Sequence, residues 1–339
     1  MLAVIKDPQK SGIKLENVPI PEVDPDGILI KVKAVGICGS DLRLYREENP
    51  NKKGSFILGH ELSGEVVSWG QKVKGFKKGN EVATEICIGC GECEYCRKNL
   101  INLCNELEEI GVTQDGGMAE YICAPAKNVH KLPQGVSFTE ATLADPLACV
   151  LRGFELLKVK PNSWVAILGP GTMGLLATQV VKNILKGKVI IVGVKGDEER
   201  LAWAGRFGAD ELVNISGADP IATVMEITGG GAHYTFEATG VPPALSQAFA
   251  MTRKSGSVVV MTVHKRIEVD MEPLIRKELR IFGSICYNHQ VFSRALNLIA
   301  EGGVEVKLFT KHTFPLREAE EAFNSVLSRQ GIKAILIPY

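Results

Sequence analysis

The chain has 339 residues, enough for about two domains, and 45% of them are apolar while 23% are charged. Lysine and arginine total 39, as do aspartate and glutamate, so net charge gives no general attraction to nucleic acid or to an anionic membrane. Apolar runs fall short of the roughly 18 residues of a membrane helix, and Lys6 to Pro8 interrupt the apolar start before it resembles a signal peptide. We therefore expect a cytoplasmic protein that binds neither membrane nor nucleic acid.

Short alternating apolar runs separated by turn residues fill the first 130 residues. Examples are ILIKVKAVG after Gly27 and GEVVSWG after Ser63. This pattern predicts β-strands joined by long loops, beginning with a strand in MLAVIK.

The pattern changes from Pro161 onwards, where apolar strand-like runs alternate with helix-period segments. The order is strand WVAIL, a glycine turn, helix MGLLATQVVKNILK, strand KVIIVGV, helix ERLAWAGRFGA, a strand near Glu211, a helix near Ile221, strand YTFEATG, helix ALSQAFAMT and strand SVVVMTV. Strands alternating with helices predict an α/β fold with a parallel, doubly wound sheet. The end of the chain is predicted to return to the first domain, through helix VFSRALNLIAEG, strand TKHTFPL, helix EAEEAFNSVL and the closing strand KAILIPY.

The glycine turn has the pattern Gly-x-Gly-x-x-Gly between a predicted strand and a predicted helix. In that context Gly169 permits a tight turn, Gly171 lets the backbone approach a pyrophosphate, and Gly174 lets helix and strand pack closely. This predicts a dinucleotide site at the helix N-terminus. The residues of the turn assigned to the cofactor are Gly169, Gly171, Thr172, Met173 and Gly174.

The cofactor's ribose is expected at the end of the next strand, which the sequence places at Gly193, Val194 and Lys195. Asp197 could bind the 2′-hydroxyl of NAD, whereas Lys195 and Arg200 could pair with the 2′-phosphate of NADP. The sequence leaves NAD and NADP both open.

Five of the nine cysteines lie between Cys87 and Cys104, and clustering of this kind indicates a metal site. Four thiolates in one loop suit a structural zinc ion with no open position. Spacing alone does not decide which four of the five bind. A nucleic-acid-binding zinc module is disfavoured, because flanking glutamates such as Glu92, Glu94 and Glu106 would repel phosphates.

A second set of candidate ligands is dispersed along the chain. It contains Cys38, His60, Glu61 and Asp145. Zinc accepts all of these residue types, and three protein ligands plus an exchangeable water make a catalytic site. Taken singly, each residue also has a structural explanation, as a buried thiol, a core histidine or a turn carboxylate.

Taken together, these motifs resemble the zinc-containing medium-chain alcohol and polyol dehydrogenases over nearly the whole chain. GHELSGEVVSWGQKV from Gly59 fits the family's zinc signature, and the cysteine cluster fits its structural-zinc lobe. Further matches are DGGMAEYICAP from Asp115, FEATG from Phe236 and GSICY from Gly283. The branch it is most similar to contains sorbitol, butanediol and threonine dehydrogenases.

The resemblance implies two domains. Residues 1–150 and 286–339 would form a GroES-like, β-rich catalytic domain with the structural zinc lobe at about 87–105, and residues 151–285 a Rossmann cofactor-binding domain. It selects Cys90, Cys93, Cys96 and Cys104 for the structural zinc and leaves Cys87 free.

The resemblance also implies roles at the catalytic zinc. Cys38 and His60 would bind the metal. Glu61 would bind it directly or stand behind it, and Asp145 would reach it directly or through water. The remaining catalytic candidates are Ser40, Asp41 and Arg43. Asp41 would orient the zinc-bound histidine and Ser40 would pass on the alcohol's proton. Arg43 replaces the histidine that ends the relay in many relatives and stays protonated, so it could contact an anionic group instead.

The implied function is hydride transfer between NAD(P) and a polyol or small secondary alcohol, sorbitol-like or a vicinal diol, with two zinc ions per chain. Cys286 stands where sorbitol dehydrogenases have an arginine, which puts sorbitol itself in doubt. The alternatives are a threonine 3-dehydrogenase-like enzyme and an inactive relative. A homo-oligomer, tetramer or dimer, is expected, with pairing across the subunits near the strand SVVVMTV.

Overall fold

The protein is described by a computed structural model that covers residues 1–48, 54–216, 219–263 and 266–338. The chain forms two compact units: unit 1 comprises Met1–Asp145 with Tyr287–Tyr339, and unit 2 comprises Pro146–Cys286. The sequence predicts domain boundaries after residues 150 and 285, and the structure has them after residues 145 and 286. Within the described residues, no helix combines the length and apolarity required to cross a bilayer.

The N-terminal part of the chain consists mainly of short strands. Its strands are β1 (Leu2–Lys6), β2 (Lys14–Asn17), β3 (Gly27–Gly36), β4 (Phe56–Ile57), β5 (Glu61–Trp69), β6 (Glu81–Thr84), β7 (Cys87–Ile88), β8 (Glu108–Glu109), β9 (Tyr121–Pro125) and β10 (Val129–Lys131). Its helices are α1 (Gly39–Arg46), α2 (Glu94–Arg97), α3 (Phe138–Ala141) and α4 (Ala144–Leu157), with 3-10 turns at Ile101–Leu103 and Ala126–Asn128.

The middle of the chain alternates strands with helices. Its elements are β11 (Trp164–Leu168), α5 (Thr172–Gln179) continued by a π-helical turn (Val180–Ile184), β12 (Lys188–Gly193), α6 (Glu198–Arg206), β13 (Glu211–Asn214), α7 (Pro220–Thr228), β14 (Ala232–Glu237), α8 (Pro242–Met251), β15 (Thr252–Val260), α9 (Glu272–Arg276) and β16 (Arg280–Gly283). The C-terminal part contains α10 (His289–Ala300), β17 (His312–Pro315), α11 (Ala319–Leu327) and β18 (Ala334–Ile337), with 3-10 turns at Lys307–Thr310 and Leu316–Glu318.

Unit 1 is built around a largely antiparallel sheet with strand order β10-β6-β5-β3-β18-β17, to which β9 adds by pairing with β3. Alternation along β3 buries Ile28, Ile30 and Val32 in a core shared with Leu62 and Met118. The last strand, β18, pairs antiparallel with β3, so the end of the chain returns to the N-terminal domain as the sequence predicts.

Unit 2 has a six-stranded sheet with order β13-β12-β11-β14-β15-β16, and all of its pairings are parallel. Numbered within the unit, this is the 3-2-1-4-5-6 order of dinucleotide-binding folds, so the predicted doubly wound sheet is confirmed. Each strand consists of consecutive apolar residues because helices cover both faces of such a sheet. Ala166, Ile190 and Val258 lie fully buried in its core.

One expectation about this sheet is wrong. The apolar run SVVVMTV lies in and just after β15, an interior strand between β14 and β16, so its backbone is already paired within the chain. The edge is β16, where Arg280, Ile281 and Gly283 are exposed. The run is apolar because the strand is buried, and not because it forms an edge.

Candidate metal centres and cofactor loop

Cys38, His60 and Glu61 come together in unit 1, with ligand atoms that all lie within 4.8 Å of one another. Cys38 follows β3 and precedes α1, while His60 and Glu61 stand at the start of β5. Register pairs Gly36 with Glu61, which brings the end of β3 beside the beginning of β5. The predicted grouping of a thiol, an imidazole and a carboxylate is therefore present.

Two of these side chains are withdrawn from solvent, since His60 is 3% exposed and Glu61 1%, and Cys38 is half-buried. Oε2 of Glu61 is in contact with the Lys333 ammonium, whereas Oε1 has no hydrogen-bond partner among the described residues. Sulfur, nitrogen and oxygen ligands converging in a buried position suit zinc, and three ligands leave a fourth position open. The residues present therefore fit a catalytic zinc ion.

Asp41 is fully buried beside this group. Its Oδ2 accepts a hydrogen bond of 2.8 Å from the backbone N–H of Cys38, and its Oδ1 lies 3.8 Å from Nδ1 of His60. With Nδ1 facing the carboxylate, Nε2 is the ring nitrogen left for a metal. This arrangement agrees with the orienting role expected for Asp41, which stays a prediction.

Asp145 lies in the first turn of α4 and is buried, but it is not one of the side chains whose ligand atoms group within 4.8 Å. Its Oδ2 accepts a hydrogen bond from the hydroxyl of Tyr287, which is also buried. A direct bond from Asp145 to the metal stays a prediction, since the carboxylate is already engaged by Tyr287.

The centre carries an excess of buried negative charge. Burial raises the pKa of Asp145 to about 6 and raises that of Asp41. Burial opposes protonation of His60, but Asp41 and Cys38 raise its pKa well above the ordinary value. Anionic groups this close and this dry favour a cation in their midst.

The second metal centre is the four-cysteine lobe. Its sulfurs also lie within 4.8 Å of one another, with 4.0 Å between those of Cys90 and Cys96 and 3.8 Å between those of Cys93 and Cys104. Four ligands at a Zn–S distance of about 2.3 Å are about 3.8 Å apart in a tetrahedron. The spacing fits a closed zinc site. Cys87 lies outside the four, buried on β7.

Backbone N–H groups point at these sulfurs. The amides of Cys93 and Cys96 lie 3.4 and 3.5 Å from the sulfurs of Cys90 and Cys93. Amides of Cys96 and Asn105 lower the pKa of Cys93 to about 6, while burial raises that of Cys96 to about 12. Thiolates are what zinc binds, and the four-thiol lobe needs a cation to hold all four in that form.

Ser40 and Arg43 are both on α1, one turn apart. Ser40 is half-buried two residues after Cys38, and Arg43 is exposed. Ser40 is thus close to the predicted ligand Cys38 along the chain, whereas Arg43 lies at the surface. Their relay and anion-binding roles stay predictions.

The glycine turn of unit 2 has the geometry expected of a dinucleotide loop. Gly169 has φ +96°, a left-handed conformation that favours glycine. A Cβ on Gly174 would lie 1.9 Å from the carbonyl oxygen of Gly169, whereas one on Gly171 would meet nothing within 4 Å. Gly174 is therefore needed for packing and Gly171 leaves open space at the N-terminus of α5, where Thr172 and Met173 are half-buried.

The residues proposed for the ribose follow β12. Asp197 is buried, and its Oδ2 accepts a hydrogen bond of 3.0 Å from the N–H of Val194. Lys195 is exposed, and Arg200 lies 3.9 Å from Oδ1 of Asp197. Both signs of charge are present at the end of the strand, so NAD and NADP stay open.

Two residues that contact the candidate ligands were missed in the sequence. Lys333, just before β18, pairs with Glu61, and Tyr287 bonds Asp145. Their partners lie far away in the chain, so no local spacing signals them. The one available hint is a lysine directly before a buried closing strand.

Comparison with known proteins places these centres in a family. The family model for the alcohol dehydrogenase GroES-like domain matches residues 24–134, and that for the zinc-binding dehydrogenase domain matches residues 172–301. The sorbitol dehydrogenase of Halalkalibacterium halodurans is 34% identical over 343 residues, covering 100% of this chain and 99% of the relative. The chain belongs to the zinc-containing medium-chain alcohol dehydrogenases.

Other relatives within the family differ in substrate. The D-arabitol-phosphate dehydrogenase of Enterococcus avium is 34% identical, with coverage of 94% of this chain and 92% of the relative. The L-threonine 3-dehydrogenase of Bacillus licheniformis is 33% identical, with coverage of 100% and 99%. This medium-chain dehydrogenase is therefore an oxidoreductase of the zinc-dependent alcohol and polyol type, and its substrate is not fixed by these similarities.

Solved structures agree on the fold. A Sinorhizobium meliloti 1021 protein named as a zinc-binding dehydrogenase and bound to NADP superposes with a TM-score of 0.90 at 32% identity, covering 99% of both chains. Galactitol-1-phosphate dehydrogenase from Escherichia coli gives a TM-score of 0.90 at 27% identity, covering 100% of both. The GroES-like and Rossmann assignments of this medium-chain dehydrogenase are thereby confirmed, and zinc and NAD(P) are the cofactors its family supports.

Proposed function

We propose that this medium-chain dehydrogenase oxidises a secondary hydroxyl of a polyol or small vicinal diol reversibly with NAD(P). The observation that carries the proposal is the convergence of the half-buried Cys38 with the buried His60 and Glu61. Relatives named as sorbitol and D-arabitol-phosphate dehydrogenases support the polyol class. We also propose two zinc ions per chain, one at that centre and one in the four-cysteine lobe.

The chain's own residues would hold and tune the metal. Cys38, His60 and Glu61 would bind it, with Asp41 fixing the imidazole and Lys333 balancing the charge of Glu61. When bound, zinc would act as a Lewis acid that lowers the pKa of the substrate hydroxyl, and NAD(P) would accept the hydride.

Proton release would begin at Ser40. Its hydroxyl can accept the substrate proton and pass it along α1 towards solvent. Because Arg43 stays protonated, it cannot continue the relay, and the proton would leave to water beside it. Arg43 would instead attract an anionic group of the substrate or cofactor.

The edge strand β16 and the zinc-binding thiols support proposals about oligomeric state and cellular location. We propose a homo-oligomer, tetramer or dimer, with exposed edge strand β16 as the pairing element, where Ile281 is 39% exposed. Thiols that must stay reduced to bind zinc suit a cytoplasmic location. Sedimentation at several concentrations tests the oligomer, and Ile281→Lys should shift it towards smaller species.

The decisive experiment measures initial rates on sorbitol, arabitol, arabitol phosphate, 2,3-butanediol and L-threonine with NAD⁺ and NADP⁺ separately. Turnover of the polyols or the diol supports the proposal and identifies the cofactor. Turnover of threonine alone moves the protein to the threonine dehydrogenase branch. No turnover by fully zinc-loaded protein would favour an inactive relative.

Matched cysteine variants connect rate to metal. Cys38→Ser should lose turnover and one zinc per chain. Cys123→Ser changes a half-buried thiol on β9 outside both metal centres and should keep both zinc ions and activity. Equal activity of the two variants would contradict the role of Cys38.

A further inference from the structure

Unit 1 holds another cluster of metal-ligating side chains, formed by Glu85, His130 and His289. One ligand atom from each lies within 4.8 Å of the others. Glu85 follows β6, His130 is in β10, and His289 begins α10. Pairing of β10 with β6 places His130 opposite Ala83, two residues before Glu85. None of the three belongs to the two metal centres already described.

Hydrogen bonds fix the segment that carries Glu85. Its backbone N–H donates to the carbonyl of Asn128 at 3.0 Å. The side-chain amide of Asn128 in turn donates to the carbonyls of Glu85 and Cys87, at 3.2 and 2.7 Å. Asn128 is completely buried, so these bonds form without competition from water.

The helix that carries His289 is fixed as well. Asn288 caps α10, with its Oδ1 accepting from the N–H of Val291 at 3.1 Å and its Nδ2 donating to the carbonyl of Asn99 at 3.1 Å. The three side chains are thus presented by separately anchored parts of the chain, which is how a pre-organised ligand set is built.

The cluster has too few hydrogen-bond donors to give every one of its buried polar atoms a partner. Glu85 is 2% exposed; its Oε1 contacts Nδ1 of His289 and lies 3.6 Å from Nε2 of His130. Nε2 of His130 has no hydrogen-bond partner within the part of the chain that the structure describes. A buried ring nitrogen directed at a carboxylate without a bond is a position that a cation would satisfy.

The tautomer of His130 can be set by Ser293. Nδ1 of His130 lies 3.1 Å from the hydroxyl oxygen of Ser293, which is one helical turn after His289 on α10. If that hydroxyl accepts from Nδ1–H, Nε2 carries the lone pair.

We propose that Glu85, His130 and His289 form a further site for Zn²⁺ or a similar divalent transition metal, linking the C-terminal segment to the N-terminal part of unit 1. Two imidazoles and one carboxylate are a borderline ligand set of the kind zinc, cobalt and nickel accept. Three protein ligands leave a fourth position, and a surface pocket of about 420 Å³ is lined in part by His130 and Ser293.

The test loads full-length protein with Co²⁺ or Zn²⁺, removes free metal by gel filtration, and counts bound metal by mass spectrometry. The variants are Glu85→Gln and His289→Ala, which remove a ligand from the cluster. His312→Ala is the control, because His312 is exposed on β17 and outside the cluster. We expect both cluster variants to bind one metal ion per chain fewer than wild type, and the control to match wild type.

Cobalt spectra separate this site from the cysteine sites. Thiolate-to-cobalt charge-transfer bands come only from sites with cysteine ligands, so they should be the same in wild type and in both variants, and they show that unit 1 is folded. The loss should appear in the weaker d–d bands of the nitrogen and oxygen site. Equal metal content in wild type and both variants, with unchanged charge-transfer bands, would overturn the proposal and leave a metal-free hydrogen-bonded triad.

Discussion

The ion pair between Lys333 and Glu61 allows a quantitative prediction, because both side chains are almost fully buried, at 4% and 1% exposure. Burial opposes the charge of Lys333, but Glu61 and Cys38 raise its pKa, so the ammonium stays protonated. Lys333→Met removes that charge and leaves Glu61 uncompensated. Removal of one partner of a buried pair costs about 3 to 5 kcal/mol, against a total stability of about 5 to 15 kcal/mol.

Zinc should reduce the penalty. In metal-free protein Lys333 is the partner in contact with Glu61, whereas a bound dication would also offset the carboxylate. Lys333→Met should therefore lose about 3 to 5 kcal/mol of unfolding free energy without zinc and clearly less with zinc. Adding Glu61→Gln should recover much of the loss, because the unpaired charge is then gone.

The assay is guanidinium unfolding followed by tryptophan fluorescence. Trp69 lies in unit 1, and the other two tryptophans, Trp164 and Trp203, lie in unit 2. Replacing those two with phenylalanine leaves Trp69 to report on the unfolding of unit 1 alone. This matters because a protein with two units need not unfold in a single two-state transition. A loss below about 1 kcal/mol in zinc-free protein, as for a surface pair, would refute the reasoning, as would equal losses with and without zinc.

Four other perturbations have defined outcomes. Gly174→Ala puts a methyl group against the Gly169 carbonyl and should cost about 1 to 3 kcal/mol in thermal or denaturant unfolding. Gly171→Ala has room in the fold, so stability should hold while NAD(P)H titrations show affinity falling by about tenfold or more; normal binding would contradict the pyrophosphate site. Because burial raises the pKa of Asp145 from 3.8 to about 6, the native zinc-free protein holds a proton that the unfolded chain has lost. The unfolding free energy of the wild type should therefore fall relative to that of Asp145→Asn as pH rises from about 4 to about 6, and the difference should stay constant above that range. A difference that does not change with pH would exclude the raised pKa. Cys93→Ser should release one zinc and make residues 87–105 sensitive to protease, with Cys123→Ser as the control that keeps both.

The sequence predicted most of the fold because its signals are local. The strand WVAIL, the glycine turn and the following helix are a continuous pattern, and the structure places β11 and α5 on them. The four-cysteine lobe is equally local, since its ligands lie within one short loop. Wherever neighbours in sequence are neighbours in space, periodicity and spacing are sufficient.

Long-range relations were harder to predict. Lys333 reaches Glu61 only because β18 pairs with β3, a relation that no spacing in the sequence encodes. The edge of the parallel sheet was misassigned for a similar reason, since a buried interior strand and an apolar edge strand have the same composition. The Glu85, His130 and His289 cluster is another case, because its members come from three separated segments.

The division of unit 1 between both ends of the chain has a consequence for biosynthesis. Unit 2 is one continuous stretch, Pro146–Cys286, and can fold while the ribosome is still adding residues. Unit 1 lacks β17 and β18 until residues 312–337 have been added, so Glu61 waits for Lys333. Asp145 waits for Tyr287, which is added earlier, directly after unit 2. A nascent chain stalled or truncated before residue 333 would therefore contain all of unit 2, but a unit 1 in which Glu61 lacks Lys333 and the Val35–Gly36 end of β3 lacks its pairing with β18.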